Sequence, residues 1–548
     1  MKFIFILLSY SFFLLFQNQS ALADPAIEGP DRFSLTILHL NDVHGHYSGF
    51  NVENGFCLKA ICPGGWGGSV RLNRIIKAYR ALQPNLLLLN AGDDFSGSIF
   101  WKFFKEKPAL LVLNSLGYDA FTLGNHEFDG GFDLFVYFVK ELKTPVVSAN
   151  FNLTAPVKDL NLKPYVIIQR SGRKIGIIGL TSARLPEGFG ASFSEEMEAL
   201  KRAVQSLTQE GANIIIALTH LGLKTDLELA SKVEGLDLVV GGDSHSYLGT
   251  GRTDDVGPYP IIVSSPSGRQ VLVVTSGFGG RYLGRLIVDF DQQGQALGWY
   301  GESVAITDEN VVKLAAPEAD EALVKGLEKF SKPLEAQLGR VLGQIKINGQ
   351  PGPFTNQINC RQGECLSANL ATDAMRSALP SNLPRLAIIN SGAIRGDIPY
   401  NGEITKADLL TILPFDNKLA QATITGETLL KILANSVSKL GSSKGARLLQ
   451  VSGLKYIVAM KDEDYFVTSV KILSAEKWLD LDLKAYYDLT TVDYLSQGGD
   501  GYTVLKDLNW RYSETSLTEA VEHYLSLGPA MVSMGDRVNY PLSKEKGL

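Results

Sequence analysis

The stretch "VVGGDSHSYL", residues 239–248, decides how the fold is read. An apolar run suited to a buried strand ends in two glycines, and Asp243, Ser244 and His245 follow at once. Glycines let the backbone turn sharply, so the next side chains face whatever lies at the strand's end. The same grammar recurs along the chain. "LHLNDVHGH" (38–46) presents Asp42 and His44, and "LLNAGDD" (88–94) presents Asp93. "TLGNHEFDG" (122–130) presents Asn125, His126 and Asp129, and "IALTHLG" (216–222) presents His220. One Asp-x-His after a strand is an ordinary turn or cap; for His39 and His46 the expectation is strand packing and a loop, respectively. Five polar clusters at strand ends mean more, because ligands of open α/β sheets bind outside the carboxyl ends of the strands. Carboxylates, imidazoles and one amide together suit two adjacent divalent cations. Such a pair is a standard device for activating water against a phosphate ester.

Working outward, apolar runs alternate with amphipathic segments from Phe33 to about Phe290. Strands are expected in "SLTILHL", "NLLLLNA", "DAFTLGN", "PVVSANF", "KIGIIGLTS", "NIIIALTH" and "LDLVVGG", with helices in "VRLNRIIKAYRAL" and "EEMEALKRAVQSL". "PIIVSSPSGRQVLVVTSG" and "LGRLIVDFDQQGQALGWY" read as hairpins, which makes the sheet mixed. This is an α/β layered domain over 32–316. A charged, helix-prone stretch with Pro333 inside it, 317–340, reads as a linker helix. A second, smaller α/β domain, 341–548, restarts the strand and helix pattern.

The 548 residues are 45% hydrophobic and 20% charged, as in globular proteins of two or more domains. A net charge of −6 argues against binding a nucleic acid polymer through a broad basic surface. Residues 1–23 have the lysine, apolar core and Ala-Leu-Ala ending of a secretory signal peptide. The apolar run is short for a bilayer span, and the final "YPLSKEKGL" is polar, so no stable membrane anchor is expected after cleavage. The expected location is periplasmic or secreted. Cys57 and Cys62, and Cys360 and Cys365, form either two local disulfides or one four-thiolate zinc site.

The motifs "NDVHG", "AGDDFSGS", "LGNHEFDGG", "LTHLG" and "VVGGDSH" resemble those of the calcineurin-like metallophosphoesterases and, more narrowly, of the 5′-nucleotidase family. The resemblance continues in order through "CRQGECLSANLATDAM", "INSGAIR", "LPFDN", "LLQVSGLKY" and "GGDGY", over nearly the whole chain after the leader. Both cysteine pairs are similar to those of animal ecto-5′-nucleotidases, which implies a local disulfide in each domain. The resemblance implies one cation on Asp42, His44, Asp93 and His245, and another on Asp93, Asn125, His220 and Asp243, with Asp93 bridging. The ions are of the manganese, cobalt, zinc, iron or magnesium kind. His126 and Asp129 resemble the family's catalytic dyad, although Asp129 could equally cap the helix beginning near Phe132.

In the second domain the resemblance implies phosphate recognition by Arg361 and Arg395, with Asn390 also in the substrate site. Phe415 and Tyr494 match the family aromatics that sandwich the base, and Asp500 matches the residue that binds the ribose hydroxyls. The family pattern has phenylalanine where Tyr494 stands and histidine where Asp243 stands. The implied substrate is a nucleoside 5′-monophosphate. Di- or triphosphates, UDP-sugars and 2′,3′-cyclic nucleotides are alternatives among relatives, and a nucleotide-binding surface protein with a degenerate metal site is an alternative of another kind.

Overall fold

The computed structural model describes residues 32–539, apart from 52–56, 156, 187, 250–254, 348, 350–359, 362, 400, 439, 441–444, 462–463, 533 and 535. The expected leader, 1–23, lies outside the described residues. The chain packs as two units. One comprises the described residues up to Val43, Gly67–Asp93 and Leu110–Val324; the other comprises His44–Trp66, Asp94–Ala109 and the chain from Lys325 onward.

The first unit holds two sheets whose strands are, in chain order, β1 (Phe33–Leu40), β2 (Leu86–Asn90), β3 (Ala120–Thr122), β4 (Val146–Val147), β5 (Leu162–Lys163), β6 (Tyr165–Arg170), β7 (Arg173–Thr181), β8 (Ile214–His220), β9 (Leu238–Val240), β10 (Ile261–Ser264), β11 (Gln270–Val274), β12 (Tyr282–Phe290) and β13 (Ala296–Ala305). One sheet has the order β13-β12-β1-β2-β3-β4-β5 and the other β10-β11-β9-β8-β7-β6. Both expected hairpins form, β10 with β11 and β12 with β13, each antiparallel.

Side chains alternate across a strand, and the two faces of the second sheet read accordingly. Ile175, Ile177, Ile214, Ile216 and Leu218 share one core with Leu35, Ile37, Leu87 and Leu89 of the first sheet. Their neighbours Ile178, Leu180, Ile215 and Ala217 turn the other way, onto helix residues Ala199, Leu200, Ala203, Val204 and Leu207. Those five residues are spaced as one stripe of α1 (Glu196–Gln209), which is started by the Glu195 side chain accepting from the Glu198 N–H.

Parallel register brings the site loops level. Leu40 pairs with Asn90, Asn90 with Phe121, and Thr181 with His220. "PVVSANF" contributes less than its composition suggests, with Val146–Val147 in the sheet and Phe151–Leu153 in a separate two-stranded pair. The linker stretch forms α2 (Glu321–Leu338) with Pro333 inside it. No helix among the described residues is long and apolar enough to cross a membrane.

In the second unit a five-stranded sheet carries the strands β14 (Arg385–Asn390), β15 (Lys418–Thr425), β16 (Leu449–Ser452), β17 (Tyr486–Val492) and β18 (Arg511–Ser516), in the order β16-β14-β17-β15-β18. Leu386, Ile388, Leu419, Ile424, Val451 and Leu489 share its core with Leu370, Ala374 and Met375 of α3 (Leu366–Ala378). The expected α/β class is therefore what the chain adopts in both units.

Candidate active site

Asp42 and Asp93 follow β1 and β2, His220 ends β8, and Asp243 and His245 follow β9. Asp42, His44, Asp93, Asp243 and His245 all hold positive φ, between 50° and 73°. L-residues seldom adopt that region, and such strain collects at functional sites, where the surrounding fold holds it. Glycines next to them answer to space. A Cβ on Gly124 would lie 2.1 Å from Asp93 Oδ1, and one on Gly241 would lie 2.1 Å from Asp226 Oδ2. The glycine pair 241–242 is thus required by close packing; neither residue has positive φ, contrary to the sharp-turn reading.

Ligand atoms of Asp42, Asp93 and His220 lie within 4.8 Å of one another. Second partners aim them. Asp42 Oδ2 accepts from Asn41 Nδ2 (2.8 Å) and the Asp243 N–H (3.0 Å), which leaves Oδ1 turned to His245 Nε2 at 3.5 Å and His220 Nε2 at 3.9 Å. His220 Nδ1 lies 2.6 Å from the Ala91 carbonyl, and His44 Nδ1 lies 3.2 Å from the Phe95 carbonyl. Donation there leaves each Nε2 as a lone pair for a cation. His220 Nε2 is fully buried, has no hydrogen-bond partner among the described residues, and sits 3.1 Å from Asp93 Oδ2. A buried imidazole facing several carboxylate oxygens calls for positive charge there, supplied by a proton on the ring or by a cation in its place, so this donor set fits divalent cations.

The protonation equilibria carry the same sign. Burial pushes the Asp42 carboxyl up to about 7, with Asp93 and Asp243 adding to the shift. Burial opposes charge on His220, yet Asp93, Asp42 and Asp243 outweigh it and hold its pKa well above the ordinary value. A buried carboxyl with further carboxylates beside it is relieved by a metal ion.

His126 and Asp129 meet, with Nδ1 and Oδ2 2.7 Å apart, and the His126 N–H donates to Asp93 Oδ1 at 2.8 Å. The helix after them, Gly131–Glu141, has Gly130 at its cap position with no side-chain cap bond, so Asp129 is not its N-cap. His39 is buried in β1 against Tyr259, as expected for a packing residue, and His46 lies buried in its loop against the Phe50 ring.

Asn125 and Asp243 are brought together by a residue the sequence reading left out. Arg184 Nη1 donates to Asp243 Oδ1 (3.0 Å) and Asn125 Oδ1 (3.2 Å), and Nη2 donates to Asp243 Oδ2 (3.3 Å). The sequence carries a signal for it, because Arg184 follows the apolar strand "KIGIIGLTS" just as the other site residues follow theirs. Glu127 was missed as well. It is buried, accepts from the Asp93 N–H (2.9 Å) and the Gly124 N–H (2.6 Å), and so fixes the Asp93 loop.

In the second unit Asn390, Tyr494 and Asp500 form one linked group. Asn390 Nδ2 donates to Asp500 Oδ2 at 2.7 Å, and the Tyr494 hydroxyl donates to Asp500 Oδ1 at 2.9 Å. That acceptor is the partner of the hydroxyl that distinguishes Tyr494 from phenylalanine. Arg395 lays its guanidinium over the Phe415 ring, 5.5 Å from the centroid. Cys360–Cys365 and Cys57–Cys62 are both bonded, so the zinc alternative falls. Arg361 lies inside the first of these loops, whose Cys360 carbonyl accepts from Ser391 Oγ (2.6 Å) and Gln450 Nε2 (2.8 Å).

Comparison with known proteins agrees with this geometry. Residues 35–247 match the family model described as calcineurin-like phosphoesterase, and 341–507 match that of the 5′-nucleotidase C-terminal domain. Snake venom 5′-nucleotidase of Naja atra is 33% identical over 92% of this chain and 98% of its own length. The 5′-nucleotidase of Rattus norvegicus is 34% identical over 87% of this chain and 84% of its own length. The solved 5′-nucleotidase precursor of Thermus thermophilus superposes with a TM-score of 0.82 at 31% identity, covering 94% of this chain and 100% of that one.

Proposed function

The chain belongs to the 5′-nucleotidase family, and we propose that it is an exported enzyme that hydrolyses nucleoside 5′-monophosphates such as AMP to nucleoside and phosphate. It is a metal-dependent phosphoric monoester hydrolase. The cluster of buried carboxylates and imidazoles on left-handed backbone carries the proposal. Two divalent cations, one on Asp42, His44, Asp93 and His245 and one on Asp93, Asn125, His220 and Asp243, would supply the charge that draws in phosphate and makes water a nucleophile.

The chain's own residues do the rest. Asp93 would hold both cations, and the His126 N–H and Glu127 hold its loop in place. His126, oriented by Asp129, donates to the phosphoryl oxygens as charge builds on them. Arg361 and Arg395 recognise phosphate, Phe415 and Tyr494 stack on the base, and Asp500, held by Asn390, accepts from the sugar hydroxyls. Export is supported by the leader-like 1–23 and by two local disulfides, which persist in oxidising compartments. The test is hydrolysis of AMP, ATP, UDP-glucose and 2′,3′-cyclic AMP, followed by chromatography of substrate and products, with manganese, cobalt and zinc in turn. The proposal expects AMP to have the highest kcat/KM. A higher value for any of the others refutes it.

A further inference from the structure

Asp243 is a buried carboxylate, 4% exposed at its side chain, and the bond it makes to a cation is the bidentate one with Arg184. Arg184 follows β7, whose last residue, Thr181, pairs with His220. The arginine is therefore held at the same strand ends as the cation ligands. Its Nη1 spans Asp243 Oδ1 and Asn125 Oδ1, two oxygens that the second cation needs. The same Asp243 Oδ1 lies 3.9 Å from His220 Nε2, a third ligand of that position. One nitrogen thus stands where a second cation would draw its oxygens together. A guanidinium and a dication cannot share the same lone pairs without strong repulsion. The bidentate fork suits a carboxylate, and at 44% exposure the arginine side chain has solvent to swing into.

We propose that Arg184 is a built-in competitor for the second cation. It holds Asp243 and Asn125 in place while that position is empty, and the second cation binds by displacing it. In this account Arg184 neutralises the carboxylate that stands where the family pattern has histidine, and second-ion affinity is set by the exchange. The inference rests on the two-cation reading above and concerns affinity, not turnover.

The test uses chelator-stripped full-length protein titrated with Mn²⁺ alone, with heats from calorimetry and bound manganese from elemental analysis. Wild type, Arg184→Ala and Arg184→Lys are compared. The first ion should bind alike in all three. The second should bind at least tenfold more tightly to Arg184→Ala, about 1.4 kcal/mol. Arg184→Lys, which keeps the charge and loses the fork, should fall between. One ion in wild type and two in Arg184→Ala supports the competition in its strongest form. Two ions in both, with second-ion affinity unchanged or weaker in Arg184→Ala, overturns the competition and leaves the two-cation reading standing. A second ion in neither overturns both.

Discussion

His126 Nδ1 and Asp129 Oδ2 are 2.7 Å apart, while the backbone N–H of the same histidine donates to Asp93. The imidazole is thereby held at Nδ1, and the residue's backbone is held beside Asp93, the carboxylate that would serve both cations. Asp129→Asn keeps the shape and removes the carboxylate that orients the ring. Losing a donor to the developing charge outright costs roughly 100- to 1,000-fold, and losing an orienting partner should cost less, about 10- to 100-fold. The expected outcome is a fall of that size in kcat for AMP, with bound metal unchanged. Unchanged kcat removes the dyad from the mechanism.

Arg395 lies over the Phe415 ring. Arg395→Lys keeps the positive charge but loses the planar fork and its stacking. A charge-assisted hydrogen bond is worth roughly 1.5–3 kcal/mol, so kcat/KM for AMP should fall about tenfold or more. Near-normal kinetics in a folded variant places Arg395 outside the phosphate site.

The Tyr494 hydroxyl occupies one oxygen of Asp500 and Asn390 occupies the other. A sugar hydroxyl therefore shares this carboxylate with two protein donors, each of which weakens it as an acceptor. Tyr494→Phe keeps the ring for stacking and frees one oxygen. The preference for AMP over 2′-deoxy-AMP, read as a ratio of kcat/KM values, should rise severalfold, since a net hydrogen bond is worth about 1 kcal/mol. A ratio that stays the same shows that Asp500 does not read the sugar.

His39 is buried, and burial lowers its pKa to about 3 from 6.5. Between those values the unfolded chain takes up a proton that the folded chain refuses, so this group's contribution to stability falls as pH drops below about 6.5. The effect is at most about 1.4 kcal/mol per pH unit. His39→Gln removes it and can still bond the Tyr259 hydroxyl. Urea midpoints at about pH 7.5 and about pH 5.5 should show a smaller acid loss in the variant than in wild type. Equal losses in both mean that His39 does not carry that acid sensitivity.

The strands were legible because their faces alternate and their ends turn polar. Asp42, Asp93, His220, Asp243 and His245 could be found by looking just past each apolar run. Other features need three dimensions. Glu127 sits inside a quoted motif, but its task is to accept two backbone N–H groups, one of them on a residue 34 positions away. Arg184 lies past a strand whose neighbour in the sheet, β8, is known only from the register. Gly241 reads from its surroundings in the sequence as a turn residue, whereas the Asp226 carboxylate beside it excludes a Cβ. Pairing across long sequence separations is a property of topology, which periodicity does not encode.

The central claim is that nucleotide hydrolysis runs on two cations held at the ends of β1, β2, β8 and β9. Chelator-stripped protein titrated with Mn²⁺, with bound metal and phosphate release from AMP followed in the same samples, tests it most directly. The account predicts no release without metal and full release only as a second ion binds to each chain. Release from metal-free protein, or full activity at one ion per chain, would contradict it.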